Sequence, residues 1–152
     1  MMFRTHFVLS LFLGLLFMEL FSYGWVFLLI VVLVGVLPDI DHPKSFIGKR
    51  LRGLSDFISF IFGHRGFFHS IFIVLIVVIF LSYFGLSEYS FAFSLGYLSH
   101  LVGDMMTRSG VAFLYPFSEF KIKGIVKVDG FLEEVLFFGL IFLDVFLILR
   151  II

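Results

Sequence analysis

Residues 7–37 read FVLSLFLGLLFMELFSYGWVFLLIVVLVGVL, 31 positions in which Glu19 is the only charged side chain. A helix that crosses the hydrocarbon core needs about 20 apolar residues, so one untilted helix cannot use them all. Glu19 and Ser22-Tyr23-Gly24 supply a turn, which divides the stretch into spans Phe7–Leu20 and Trp25–Leu37. Each would be only about 21 Å long at 1.5 Å per residue. The whole chain agrees with a membrane reading: 61% of its 152 residues are hydrophobic, 14% are charged and mean hydropathy is +1.17. Soluble domains carry roughly 45–50% apolar and about 25% charged residues, too little grease and too much charge to match. Net charge is zero, so no overall field attracts nucleic acid. The chain has no cysteine, which excludes disulfides and thiolate metal sites. Its 25 phenylalanines read as packing and lipid-facing bulk.

Outward from this pair of spans, Pro38 to Arg65 is a 28-residue polar insert. Phe46, Leu51, Leu54, Phe57, Ile58 and Ile61 recur in it at spacings of three to five, with Lys49, Arg50 and Arg52 between. That pattern predicts an amphipathic helix on the membrane surface. Phe67–Phe84, Phe91–Met106 and Phe131–Leu149 are three further spans, with a second loop at Thr107 to Gly130. The expected fold is therefore all-α: a single polytopic domain over residues 1–152, with about five transmembrane helices and one interfacial helix. With five spans, Arg4, Lys44, Lys49, Arg50, Arg52, Arg65, Arg108, Lys121, Lys123 and Lys127 share one side and Arg150 stands alone on the other. The positive-inside rule then puts the N-terminus and both long loops in the cytoplasm. The first apolar run lacks a small-residue cleavage pattern near Ser22 and reads as a retained span.

All five histidines fall on that side. His6 stands at the mouth of span one. Asp39, Asp41 and His42 follow span two, and His64, Arg65 and His69 flank the start of span three. His100 and Asp104 close span four, and Glu133 and Glu134 open span five. His100 and Asp104 are four apart and share a helix face, together with Gly96, Gly103 and Thr107. A helix beginning near Gly66 would leave His64 in the preceding loop, leaning over His69. In Asp39-Ile40-Asp41, one carboxylate can bind while the other orients a histidine. A lone histidine here is ordinarily a headgroup-level hydrogen bonder, His100 with Asp104 can be interhelical glue, and the two aspartates can be a solvated turn. Independent polar residues would, however, scatter over both faces. Their one-sidedness predicts a shared site for Zn²⁺, Mn²⁺ or Fe²⁺, the ions that imidazole and carboxylate suit.

LPDIDHPKSFIGKRL (37–51), GHRGFFHS (63–70) and GYLSHLVGDMMTRSGVAFLYPF (96–117) resemble, in order and spacing, the YdjM-like family of membrane-bound metal-dependent hydrolases. With Thr5-His6 near the start and a glutamate after the last loop, the resemblance covers nearly the whole chain. It implies a polar signature of His6, Asp39, Asp41, His64, His69, His100, Asp104 and Glu133. Phe68 stands where the family usually has threonine, and Arg108 where it often has proline. The order of the histidines and acids is also similar to that of zinc-dependent phospholipases C, helical proteins that hydrolyse phosphodiesters.

The expected activity is metal-assisted hydrolysis of a phosphoester, lipid or membrane-associated, at the cytoplasmic face of the inner membrane. One or two divalent ions, zinc foremost, would sit on Asp39, His69, His100 and Asp104, with His6, Asp41, His64 and Glu133 as further ligands or orienters. Asp41 or Glu133 would be the general base. Arg65 and Arg108 would hold phosphate, because guanidinium forks match its oxygens. The surface helix around Lys49–Arg52 would meet anionic headgroups. A metal-stabilised adaptor and a metal or proton transporter are the alternatives, although spans three and five carry few polar residues toward their outer ends. The short first two spans leave room for a second copy.

Overall fold

A computed structural model describes residues 1–63 and 65–151. The elements are α1 (Phe3–Phe17), continued by a 3-10 turn Met18–Leu20; α2 (Gly24–Val36), continued by a 3-10 turn Leu37–Asp41; α3 (Phe46–Arg50) and α4 (Arg52–Phe62); a 3-10 turn Phe67–His69; then α5 (Ile71–Tyr83), α6 (Ser87–Met105) and α7 (Phe131–Ile151). Among the described residues there is no strand, as the all-α reading expected; two isolated β-bridges occur in the last loop.

The turn expected at Ser22–Gly24 is where α1 reverses into α2. A Cβ on Gly24 would lie 2.6 Å from Met18 O, so this reversal admits only glycine. The two segments form a hairpin, α5 and α6 form a second, and α6 packs against α1, α2 and α5 while α7 packs along α1. Glycines set the crossings. A Cβ on Gly96 of α6 would meet Val31 O of α2 at 2.4 Å, and one on Gly35 of α2 would meet Ser10 Cβ of α1 at 2.4 Å. Phe27, Leu28 and Val31 of α2 are buried with Leu15, Met18 and Ala92, while Val26, Leu29, Leu33 and Leu37 face outward. A helix that is apolar on both faces requires an apolar surrounding.

Phe3–Leu20 and Gly24–Asp41 are each 18 residues and apolar enough to cross a membrane, about 27 Å when helical. They meet length and composition where the expected five spans do not all do so. α5 is apolar but has 13 residues, because the chain from Phe67 to His69 is spent on the 3-10 turn. α7 is long enough but carries Glu133, Glu134, Asp144 and Arg150, and α6 ends in His100 and Asp104.

The expected surface helix is two helices, broken at Leu51 (φ −112°, ψ 43°). In α4 the buried residues are Ser55 and Ile58, whereas Leu54, Phe57, Phe60 and Ile61 are exposed. The apolar stripe thus faces away from the protein, as in a helix immersed in a bilayer boundary. Residues 107–130 are more ordered than a plain loop. Val111 and Ile122 exchange both backbone hydrogen bonds, Val126 N donates to Met106 O, and Ile71 N donates to Phe113 O, tying the loop to the start of α5. Gly110 (φ 65°) is packed against Ile122 O and needs the freedom of glycine.

Candidate metal centre

The two hairpins bring the start of α1, the end of α2, the approach to α5 and the end of α6 to one end of the bundle. From these four places come His6, Asp39 and Asp41, His69, and His100 with Asp104. His6, His69, His100 and Asp104 are all at most 1% exposed.

Backbone and carboxylate acceptors fix the imidazoles. His100 Nδ1 lies 2.9 Å from Gly35 O, which can only accept, so Nδ1 carries the proton and Nε2 presents a lone pair. His69 Nδ1 lies 2.9 Å from Asp41 Oδ2, which also accepts from Arg65 N at 3.1 Å, so Nδ1 carries a proton and Nε2 points inward. The two Nε2 atoms are 3.2 Å apart. At that distance either a proton or a metal ion lies between the two nitrogens. Asp104 Oδ2 is 3.5 Å from His69 Nε2 and 3.9 Å from His100 Nε2, and Asp39 Oδ1 is 3.8 Å from His100 Nε2. Ligands of one ion at about 2.0–2.2 Å sit roughly 3–4 Å from one another, so these separations fit shared coordination.

His6 stacks on His100, rings 3.8 Å apart and 12° from parallel. Its Nε2 is 3.3 Å from Asp104 Oδ1, yet neither of its ring nitrogens has hydrogen-bond geometry to a partner among the described residues. Asp104 Oδ2 is likewise buried without a hydrogen bond, although Arg65 Nη2 lies 3.1 Å from both oxygens of that carboxylate and bonds Oδ1. The Met1 amino group also contacts Asp104 Oδ1. Buried polar atoms without partners are costly, and a cation would satisfy these. Two ligand groups result, His6–Asp39–His100 and His69–His100–Asp104, each with its donor atoms within 4.8 Å of one another. They share His100, whose Nδ1 is committed to Gly35, so its ring cannot bridge two ions. The residues fit a divalent cation.

Other expected site residues stand elsewhere. Asp41 is buried behind His69 as its orienting acceptor. Glu133 belongs to neither ligand group: its oxygens accept from Met2 N and Asp129 N, both at 2.7 Å, which pins α7 to the start of α1. Arg65 reaches Asp104, Ser109 and Gly110 O. It does so from a left-handed backbone (φ 59°) that is unusual for a residue with a side chain. Arg108 is exposed, with Nε donating to Ile125 O. His64 lies outside the described residues. Phe68, where a hydroxyl was expected by resemblance, offers its carbonyl to Tyr97 OH at 2.5 Å. Sequence reasoning missed the Gly35 carbonyl, since a backbone acceptor leaves no signature beyond a small residue.

Asp41→Asn keeps the size of the side chain but weakens the hold on the His69 tautomer. Metal affinity is expected to fall about 10–100-fold, read by competition with a chelator of known affinity.

The fold and the site together define a helical membrane protein with a buried histidine–carboxylate centre. Residues 1–151 match the family described as YdjM inner membrane protein, and the chain belongs to that family. Inner membrane protein YdjM of Escherichia coli (strain K12) is 45% identical over 91 residues, covering 56% of this chain and 46% of the relative. The YdjM protein of Shigella flexneri gives the same figures. The protein YvsG of Bacillus subtilis (strain 168) is 34% identical over 108 residues, 70% of this chain and 68% of the relative. The chain thus spans about half the length of the two YdjM proteins. No solved structure matches. An inner-membrane location follows from the family.

Proposed function

We propose that this chain is a multi-pass, metal-dependent hydrolase of phosphoesters working at the cytoplasmic face of the inner membrane. The observation that carries the reading is the pair of inward-facing Nε2 atoms of His69 and His100, 3.2 Å apart beside Asp104, with both rings oriented by acceptors behind them. His6, Asp39, His69, His100 and Asp104 would hold the ion, zinc by preference for a set of imidazole and carboxylate donors. When bound, a divalent cation supplies Lewis acidity, enough to lower the pKa of water to about 7.

The chain's own residues supply the rest. An open cleft of about 500 Å³ adjoins the centre, and Asp39 is the carboxylate that lines it. Of the carboxylates in the ligand set Asp39 is the one on the cleft wall, while Asp41 and Glu133, the expected proton acceptors, accept from His69 and from the Met2 and Asp129 amides. Arg65 lies on the same wall and balances charge at Asp104. α1, α2, α5, α6 and α7 all turn outward-facing apolar side chains to their surroundings, which supports five membrane crossings. The ten cationic side chains gathered on the side of the site support its cytoplasmic orientation.

Complete burial of four of the donors favours a second reading, a closed structural ion in an adaptor. Turnover separates the two. The purified chain, assayed on bis(4-nitrophenyl) phosphate and other generic phosphodiesters, is expected to hydrolyse them, to stop with chelator and to recover with metal. Retained metal with no turnover across a broad panel would establish the structural ion instead.

A further inference from the structure

We propose that the cleft between the start of α1 and α3 binds the phosphate headgroup of an anionic phospholipid, drawn sideways from the surrounding leaflet. This rests on the hydrolase reading and names its substrate class. Phe3, Arg4, Asp39, Lys44, Phe46 and Arg65 are on the cleft wall, three cationic side chains to one carboxylate. Arg4 is paired with Glu134 and Arg65 with Asp104, so the field inside comes mainly from Lys44. Arg65 Nε is a buried N–H with no hydrogen-bond partner among the described residues, and Nη1 and Nη2 are engaged. A cleft wall with three cationic side chains and one carboxylate favours an anionic ligand.

The walls also say how such an oxygen arrives. Phe3 and Phe46 stack at 4.2 Å, and Phe3 lies 6.3 Å from Phe7. Phe7 is exposed on the outer face of α1, within the membrane-crossing segment Phe3–Leu20. Arg50 covers Phe46 at 3.7 Å from its ring centre. The aromatic track thus runs from the lipid-facing flank of α1 to the cleft, and α3 leads into the outward apolar stripe of α4. A water-soluble phosphoester would make no use of it. An acyl chain lying on Phe7, Phe3 and Phe46 would put its phosphate beside Lys44, Arg65 and Asp39.

The test measures binding by the full chain in neutral detergent with chelator present, so that no turnover intrudes. Phosphatidylglycerol is expected to bind at least ten-fold more tightly than phosphatidylcholine. Lys44→Gln should weaken phosphatidylglycerol binding about five-fold, the effect of roughly one basic charge at a membrane surface, and Lys44→Glu should weaken it further. Phe46→Ala should weaken lipid binding while leaving inorganic phosphate binding unchanged. Equal binding of the two lipids, indifference to both Lys44 variants, or full displacement of the lipid by millimolar inorganic phosphate would overturn the assignment. If soluble phosphodiesters are still hydrolysed in that case, the lipid assignment fails and the hydrolase reading survives.

Discussion

His100→Ala is expected to leave the purified chain without bound metal and without the thermal stabilisation that added metal gives the wild type. His100 is the donor common to both ligand groups, and its Nε2 is the atom nearest the middle of the cluster's contacts with His69, Asp39 and Asp104. Removing it leaves no complete triad. A ligand at 1,000 times its dissociation constant stabilises the folded state by about 4 kcal/mol, so the wild-type melting temperature should rise by several degrees on metal addition. The variant should not move. Melting curves with and without Zn²⁺ read the difference directly, and a variant that still shifts like the wild type would remove His100 from the centre.

Gly96→Leu should be the most damaging change away from the ligands. Its Cβ would stand 2.4 Å from Val31 O and 3.1 Å from Gly35 N, both backbone atoms that cannot rotate away. α2 must shift, at a cost of roughly 1–3 kcal/mol or more for overpacking. Gly35 moves with it, and Gly35 O is what sets the His100 tautomer. Loss of stability and loss of metal affinity are therefore expected together. Gly139→Ala is the control, because nothing lies within 4 Å of the added methyl and a small helix-propensity gain is expected. Thermal melting and chelator competition on both variants check the coupling; a destabilised Gly96→Leu chain with wild-type metal affinity would show that the crossing does not govern the centre.

The turn at Ser22–Gly24 and the grouping of His6, Asp39, His69, His100 and Asp104 were legible in the sequence for one reason. Apolar length fixes where the chain reverses, and reversal decides which polar residues share an end. The contacts of Glu133, Arg65 and Arg108 were not legible. An acid in the first turn of a helix looks the same whether it faces an ion or caps backbone amides, and Glu133 does the latter for Met2 and Asp129. Arg65 depends on a left-handed backbone that no spacing announces. The break at Leu51 and the paired backbone of Val111 and Ile122 are settled by local dihedrals and by contact with α5 and α6, beyond the reach of periodicity. The extent of the 3-10 turn before α5, which shortens that helix, was hidden by an unbroken apolar run.

The central claim is that His6, Asp39, His69, His100 and Asp104 surround a divalent cation, and metal-edge X-ray absorption on the purified wild-type chain with elemental analysis tests it most directly. The expected result is one ion per chain, with nitrogen and oxygen neighbours at about 2.0–2.2 Å and the outer scattering of histidine rings. A chain that keeps no stoichiometric metal after purification and takes none up on titration would contradict it.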